Sequence, residues 1–472
     1  MKTDNQLPEI TLREKLVHLY EENIIPMTID EPVLLREARQ AGIESFRHLG
    51  FPHTKLENWR STSLSRAMNN EYVVQFNKPV QEIDVAKIFH CDIHHLDTYL
   101  VTLYNGWFLG ETSPIKTFDD GSIIGSLAEA IKLYPDIVCA HFGKQASCDT
   151  ESMNALNTAF AQDGFFVYIP DNVEFKQTIQ IVNIINVKEN LFIQPRNLVI
   201  LGKNSKLQLV HCDHSVDHKL TFINSLTEVF IGENSIVDHY KLQNKDNDST
   251  QVTTTYFRQE ANSTLSSNVI TFNGGLIRNN LHVKLDGPGC TANLNGVFLV
   301  DKEQHVDNFI SVEHNSTDCQ STQLYKGILD DQAMGVFNGH VMVRKDAQRT
   351  QAYQNNKNIL LTDKATMQTQ PHLEIYADDV KCSHGATVGQ LDPDAMFYMR
   401  SRGIRENTSR MLLMYAFAAE VINKIQIEPL RKQIDEMVYR RLKGDLSDCD
   451  QCILDCNANR QITFDIDLSK IK

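Results

Sequence analysis

The turns Gly202-Lys203-Asn204-Ser205, Gly232-Glu233-Asn234-Ser235 and Glu260-Ala261-Asn262-Ser263 resemble one another, and Gly287-Pro288-Gly289-Cys290 continues the series. Their Asn positions are 30 and 28 residues apart, and Gly289 follows 27 residues later. Short runs rich in Val, Ile, Leu, Phe and Thr separate the turns across residues 166–385, without helical periodicity. A strand-only repeat of this length predicts a β-solenoid of about eight coils, about 40 Å tall at a strand spacing of ~4.8 Å. Periodicity alone leaves a β-sandwich with similar turns as an alternative.

Helical segments flank this core and divide the chain into regions 1–165, 166–385 and 386–472. In the first region, helices are predicted at 11–22 and 30–49. A hairpin is predicted at 99–109, because Asn105-Gly106 accepts the positive φ angles of a tight turn.

The last region carries an apolar i, i+4 stripe that predicts a helix over 411–427. The stripe consists of Leu413, Phe417, Val421 and Ile425. A second helix is predicted to begin at Pro429 and to end at Gly444. Two short helices with little core of their own must pack on the solenoid or on a partner.

Composition excludes several classes of protein. The net charge of −14 argues against nucleic-acid binding, which needs concentrated Lys and Arg. No apolar run is long enough for a membrane helix, and Met1-Lys2-Thr3-Asp4 does not resemble a secretion signal. Ten sparse Cys fit free thiols in a reducing compartment, so we expect a cytoplasmic protein. The sequence lacks a Gly-rich phosphate loop, so we expect no ATP hydrolysis by this chain itself.

The segment 371–387 alternates apolar and polar residues like a half-buried strand. On such a strand Cys382 and His384 project from the same face. A thiol and an imidazole are two ligands for iron or zinc, whereas a complete site needs about four. The strand therefore carries half of a site that another group must complete.

Several motifs, in order from about residue 50 to 442, resemble those of SufD-type subunits of the Suf iron–sulfur cluster assembly scaffold. The motifs are Phe51-Pro52-His53-Thr54-Lys55-Leu56-Glu57-Asn58-Trp59-Arg60, Leu156-Asn157-Thr158-Ala159-Phe160-Ala161-Gln162-Asp163-Gly164, Pro195-Arg196-Asn197-Leu198, Phe337-Asn338-Gly339-His340-Val341, the block from Cys382 to Ile404, and Tyr415-Ala416-Phe417-Ala418-Ala419-Glu420.

The resemblance implies a mainly β protein, with a right-handed parallel β-helix between N- and C-terminal helical domains. It also implies a heterodimer with a SufB-like scaffold, paired through the β-helix, and C-terminal helices that dock a SufC-like ATPase. A transient iron–sulfur cluster would be shared with SufB. Reduced flavin has been linked to such complexes, but no flavin motif is found in these residues.

Two departures favour SufD over its sister SufB. Where SufB-like chains have Gln-Cys-Asp-Ser, the corresponding stretch begins Gln354-Asn355-Asn356-Lys357 and has no thiol. Where SufB has Glu-His-Glu-Ala, this chain has Ser383-His384-Gly385-Ala386. The chain is therefore expected to supply less of the cluster site than its partner.

The resemblance implies that His384 is a cluster ligand at the SufB interface, and neutral imidazole suits iron. The alternative is a strand histidine hydrogen-bonded to a neighbouring coil. Cys382 is either a second ligand or, as we favour, a small apolar packing residue. Candidate partner-binding residues, assigned only by region, are Phe397, Tyr398, Arg400, Arg402, Tyr415, Phe417 and Glu420.

Three other groups invite a functional interpretation, but a structural one is favoured for each. Cys449, Cys452 and Cys456 have cluster-like spacing but also follow one helix face, and neighbouring Asp residues disfavour thiolates. The stretch 211–214, His-Cys-Asp-His, would split across two strand faces, and we interpret it, with His218 nearby, as an exposed turn. Trp59 is expected to anchor the N-terminal region on the core.

The favoured function is a non-catalytic scaffold subunit for iron–sulfur cluster assembly. A β-helix polysaccharide lyase or hydrolase is the alternative from another class, because fold alone does not decide function. A SufD-like homodimer that binds a cluster by itself is a third possibility.

Overall fold

The computed structural model describes residues 11–79, 96–110, 113–215, 219–245 and 247–443. The helices are α1 (Leu12–Thr28), α2 (Val33–Leu49), a 3-10 turn (Glu57–Trp59), α3 (Ser65–Met68), α4 (Leu127–Leu133), α5 (Pro135–His141), α6 (Ser152–Phe160), α7 (Pro393–Ser401), α8 (Glu406–Ile422) and α9 (Glu428–Lys443).

The strands are β1 (Val73–Val74), β2 (Thr98–Tyr104), β3 (Trp107–Leu109), β4 (Ile115–Thr117), β5 (Ile123–Ser126), β6 (Phe165–Ile169), β7 (Thr178–Ile185), β8 (Leu191–Ile193), β9 (Arg196–Leu201), β10 (Lys206–Ser215), β11 (Thr221–Ile231), β12 (Ile236–Asn244), β13 (Thr250–Gln259), β14 (Thr264–Asn273), β15 (Leu276–Leu285), β16 (Thr291–Val300), β17 (His305–His314), β18 (Gln320–Leu329), β19 (Met334–Val343), β20 (Thr350–Leu360), β21 (Thr366–Ile375) and β22 (Val380–Gly389).

The core is a parallel β-helix built from two sheets, which confirms the solenoid and excludes the sandwich. The first sheet has the order β4-β5-β6-β9-β11-β13-β15-β17-β19-β21. The second has the order β3-β2-β7-β10-β12-β14-β16-β18-β20-β22. From β6 onward neighbouring strands pair in parallel, and each coil contributes one strand to each sheet, which gives about eight coils.

The recurring turns form a continuous column along one edge of the solenoid. Asn204, Asn234 and Asn262 have φ values of 52°, 58° and 55°, and Gly289 has 72°. Asn and Gly tolerate this left-handed region better than other residues, which explains why they recur there. Each backbone N–H donates to a carbonyl of the following coil, as in the 2.8 Å bond from Asn234 to Ala261.

The interior of the solenoid is apolar beside this column and polar toward the opposite edge. The apolar part includes Leu207, Val237 and Leu265, all fully buried. In the polar part, the Asp213 carboxylate accepts hydrogen bonds of 2.8 Å from Asn183 and from Gln251. The solenoid therefore encloses charged and amide groups that bond to one another.

The stretch 211–213 lies inside β10, and all three residues are buried, so the expectation of an exposed turn was wrong. As the strand alternation required, its side chains divide between two faces. Cys212 packs under the C-terminal helices, whereas His211 and Asp213 lie in the interior, 3.7 Å apart. Burial by itself would raise the pKa of Asp213, but Lys245, His211 and Lys241 together hold it below its usual value. His218 lies outside the described residues.

The N-terminal region caps the first coils and covers part of the first sheet. The predicted hairpin is confirmed, since β2 and β3 are antiparallel and Asn105 and Gly106 have φ values of 51° and 87°. β2 extends the second sheet and β5 extends the first. Trp59 is 3% exposed and packs in a cluster with the solenoid residue Phe222, which confirms its anchoring role.

The C-terminal helices cover the outer face of the second sheet. The predicted helices are confirmed as α8 and α9, although α8 ends at Ile422, five residues before the predicted boundary at 427. Its buried residues are Ser409, Met414, Ala418, Val421 and Ile422, so the buried face shares Val421 with the predicted stripe but has Met414 and Ala418 where Leu413 and Phe417 were expected. These side chains contact outward-facing solenoid residues such as Tyr240 and Phe272. α7 was not predicted, and it has no buried residue.

The last coil, made of β21 and β22, is the end of both sheets. Within the described part of the chain no further strand pairs with either of them. Ile375, Tyr376 and Val388 are 41%, 61% and 43% exposed there. The C-terminal end of the solenoid therefore presents free backbone groups and apolar side chains. Cys449, Cys452 and Cys456 lie outside the described residues.

None of the helices in the described ranges is long and apolar enough to cross a membrane.

Candidate functional site at the last coil

β22 places Cys382 and His384 on the interior side of the open coil. Cys382 is in register with Ala352 and His384 with Gln354, and both partners are buried, at 0% and 3% exposure. Because side chains on neighbouring strands stack in register, the two β22 residues continue the same inward-facing rows. The two candidate ligands therefore share one face, as the alternation in the sequence predicted.

Cys382 is partly buried and packs against the apolar core of the solenoid. Burial raises the pKa of its thiol, although a hydrogen bond with the backbone of Ala352 opposes the shift. A protonated thiol is a poor metal ligand, since the thiolate is the coordinating form. In the isolated chain Cys382 therefore occupies the position of a packing residue.

His384 is exposed at the end of its row. Among the described residues, none forms a hydrogen bond or ion pair with its ring. Within the described residues, His384 therefore does not form the hydrogen bond to a neighbouring coil that the alternative interpretation requires. Both ring nitrogens remain available to a metal or to another molecule.

Two buried glutamines lie behind His384 in the same inward-facing row. Gln323 is in register with Gln354, which in turn is in register with His384. Gln323 and Gln354 are 2% and 3% exposed, and within the described ranges no amide oxygen or nitrogen of either has a hydrogen-bond partner. An unpaired buried amide costs about 1–3 kcal/mol, so this row is suited to polar ligands or water. Sequence reasoning missed Gln323, which only the register joins to His384.

Four of the seven candidate partner-binding residues form one exposed surface on and just after α7. Phe397 and Tyr398 are 74% and 59% exposed. Arg402 lies over the Tyr398 ring, 5.1 Å from its centroid, and donates a 3.1 Å hydrogen bond to the Tyr398 hydroxyl. Arg400 is paired with Glu406 at 3.5 Å. We name these four residues, Phe397, Tyr398, Arg400 and Arg402, the α7 surface.

The other three candidates make contacts within the chain. The Tyr415 hydroxyl donates to the Asp435 carboxylate of α9 at 2.6 Å. The buried Lys326 ammonium donates to the Phe417 carbonyl at 2.9 Å, lies 4.2 Å from the centroid of the Phe417 ring and pairs with Glu420. These residues therefore hold α8 against α9 and against the second sheet.

One further group of potential ligands was not singled out from the sequence. His340, His372 and Glu374 bring one donor atom each within 4.8 Å of one another. The sequence could have indicated part of this group, because His372 and Glu374 are two residues apart on a predicted strand and so share one face. The contribution of His340, 32 positions earlier, required the solenoid register.

Comparison with known proteins places the whole architecture in one family. The model of the SufBD core domain of the SUF iron–sulfur cluster assembly system matches residues 183–417, and the model of the SufBD N-terminal region matches residues 10–181. The chain thus belongs to the SufBD family of iron–sulfur cluster assembly proteins.

Individual relatives agree over nearly the full length. A SufBD family protein from Synechocystis is 29% identical over 91% of this chain and 95% of its own length. The iron–sulfur cluster assembly protein SufD of Escherichia coli is 27% identical over 86% of this chain and 92% of its own. SufD of Bacillus subtilis is 26% identical over 88% and 95%. The resemblance to SufD drawn from the motifs is confirmed.

Proposed function

We propose that this chain is a non-catalytic, SufD-like scaffold subunit that pairs with a SufB-like chain through the open last coil and docks a SufC-like ATPase through its C-terminal helices. The observation that carries the proposal is the incomplete ligand set at an uncovered solenoid end. Among the described residues, His384 is exposed and has no hydrogen-bond or ion-pair partner, and no strand pairs with the outer edge of β21 or of β22. A second solenoid could cover the edge and supply the missing ligands.

Edge geometry supports a strand-pairing partner. β21 and β22 are each ten residues long, and an uncovered edge of this length is a template for another chain's strand. The exposed Ile375, Tyr376 and Val388 add apolar surface around it. The proposed nascent iron–sulfur cluster would then lie between His384 and donors of the SufB-like chain. We assign no residue of this chain to flavin.

The α7 surface supports the second contact. Phe397 and Tyr398 are large aromatic side chains that remain exposed on a helix with no buried residue, and two arginines flank them. Aromatic and Arg side chains are the types enriched in protein interfaces. Tyr415, Phe417 and Glu420 would support this contact indirectly, by fixing α8.

Co-expression tests both contacts. The chain is produced with SufB-like and SufC-like proteins from the same source and purified through a tag on the chain. We expect Val388→Asp to release the SufB-like chain selectively, because it places a charge at the free edge. The matched control is Ile236→Asp, which changes an equally exposed residue, 40% against 43%, on the inner strand β12.

For the ATPase, Phe397→Ala is expected to weaken SufC-like binding, whereas Leu133→Ala on α4, 57% exposed, is expected not to. Recovery of the chain without either partner, together with cleavage of a polysaccharide, would instead support the sugar-enzyme alternative. A stable homodimer that does not exchange with the SufB-like chain, measured as mass by light scattering, would contradict the heterodimer.

A further inference from the structure

We propose that His340, His372 and Glu374 form a binding site for a first-row divalent transition metal ion on the outer face of the first sheet. The three residues come from the last two strands of that sheet, β19 and β21. His340 and His372 are directly in register, and Glu374 follows His372 on the same face. The three residues are not among those assigned to the proposed partner contacts, although His372 and Glu374 share β21 with the free edge.

The three donor atoms already converge. Nε2 of His340 and Nε2 of His372 each lie 3.3 Å from the same carboxylate oxygen, Oε1 of Glu374. A metal bonded at about 2.0–2.2 Å to three tetrahedral ligands places the donors about 3.3–3.5 Å apart. The two histidine–glutamate distances therefore match a bound geometry. The histidine nitrogens approach within 4.8 Å, and a small ring rotation closes the remaining gap.

A second observation points to a ligand that is missing. The Nε2 atom of His340 is shielded from solvent, yet it has no hydrogen-bond partner among the residues that the structure describes. The 3.3 Å contact with Glu374 Oε1 is an ion pair only when the imidazole is protonated. The two imidazole rings are 5.3 Å apart between centroids and tilted by 39°, a separation that follows from the register of adjacent strands. A metal would satisfy the buried nitrogen.

The donor set indicates the class of ion. Two imidazoles and one carboxylate bind zinc in enzymes that keep an open position, and the same set binds ferrous iron. Magnesium and calcium prefer oxygen ligands and are disfavoured here. Since the side chains of His372 and Glu374 are 60% and 35% exposed, the remaining coordination positions face solvent. They are open to water or to a ligand from another molecule.

The site is separate from the one around His384. His340 faces outward, because its strand neighbours Phe337, Val341 and Val343 belong to the interior core. His384 lies on the other sheet, in an inward-facing row. Loss of one site should therefore leave the other intact, which lets experiment tell them apart.

Cobalt titration of the purified full chain under anaerobic conditions tests the proposal. Cys449, Cys452 and Cys456 are first changed to Ser in every variant, so that tail thiolates do not bind cobalt. We expect one equivalent of Co²⁺ with visible ligand-field absorption and without thiolate charge-transfer bands. Zn²⁺ and Fe²⁺, added separately, should displace it, and their relative affinities identify the preferred ion.

His372→Ala and Glu374→Gln are expected to weaken cobalt binding by more than the about 10–100-fold lost when only a supporting partner of a ligand is removed. The matched control is His18→Ala, which breaks a similar exposed His–Glu pair, 3.2 Å to Glu22, that has no third donor among the described residues. Unchanged circular dichroism confirms the fold of each variant. Wild-type cobalt affinity in both His372→Ala and Glu374→Gln would overturn the proposal. Loss of cobalt binding in His384→Ala instead would also overturn it.

Discussion

The guanidinium carbon of Arg278 lies 4.4 Å from the centroid of the Trp59 ring and joins the N-terminal region to the solenoid. Arg278 projects from β15 and is 2% exposed. It also pairs with the fully buried Asp307 of the next coil, which Thr62 contacts from the N-terminal side. A single cation thus connects an indole ring, a carboxylate and two regions of the chain.

Replacing Arg278 is expected to loosen this junction. Arg278→Met leaves the buried Asp307 without its cation, which costs about 3–5 kcal/mol. The urea midpoint should fall, and limited proteolysis should cut the N-terminal region sooner. Arg258→Met is the control, because Arg258 is 43% exposed and its 2.7 Å pair with Asp286 is worth at most about 1 kcal/mol. Equal losses in the two variants would contradict this account.

Lys326 is expected to be the main polar attachment of the C-terminal helices. Its side chain is 4% exposed, and Lys326→Ala removes the bond to the Phe417 carbonyl, the contact with the Phe417 ring and the pair with Glu420. We expect faster proteolysis within α8 and weaker binding of a SufC-like ATPase. Lys357→Ala should change little, since Lys357 is 39% exposed and lies 4.0 Å from Glu420. The opposite order would refute the assignment.

The turn column predicts a contrast between two substitutions at one position. Asn234 has a φ of 58°, and its amide donates to Asn204 at 3.0 Å. Asn234→Val forces a β-branched residue into the left-handed region, at a cost of about 1–3 kcal/mol. Asn234→Gly loses only the amide bond and keeps an accessible backbone. Thermal unfolding should rank the Val variant clearly below the Gly variant, and the reverse ranking would exclude backbone strain as the cause.

Buried histidines should make the protein acid-sensitive. Burial, together with the nearby His211 and Lys241, lowers the pKa of His239 to about 3. The unfolded chain takes up that proton near pH 6.5, whereas the folded chain does so only near pH 3. This contribution to stability is therefore present above about pH 6.5 and is lost progressively as the pH falls toward 3.

His239→Gln removes one group that binds a proton in the unfolded state but not in the folded state between these two pH values. The slope of stability against pH between about 6 and 4 should then decrease by up to about 1.4 kcal/mol per pH unit. Urea titrations at several pH values measure this slope. Parallel profiles for the wild type and the variant would show that His239 does not contribute.

His384→Ala is expected to leave the fold and the proposed assembly intact, because the exposed ring forms no hydrogen bond or ion pair with a described residue. Cluster formation by the reconstituted complex should be severely reduced, since a proposed ligand is gone. Ser383→Ala, which changes the neighbouring outward-facing residue, is the control. The measurement is iron and acid-labile sulfide per complex, together with the visible spectrum. A full cluster yield from the His384→Ala complex would remove the proposed role.

Local sequence patterns predict the repeating turns of the core. Asn204, Asn234 and Asn262 mark the turns because few residue types accept a left-handed backbone, and that constraint is local. The alternation of apolar and polar residues around Cys382 and His384 also predicts their common face, because the direction of side chains along a strand is a local property. The Asn105-Gly106 hairpin also follows from the φ angles that these two residues tolerate.

Which residues are buried, and which residues distant in sequence contact each other, depends on the tertiary fold. The stretch 211–213 is buried because a neighbouring coil lies on each side of β10 and the C-terminal helices cover Cys212. Phe417 and Glu420 contact the buried Lys326 of the second sheet, whereas Phe397 is exposed. His340 joined His372 only through a register that spans one coil. Such pairings depend on where whole strands stack, and no local preference of the chain encodes that placement.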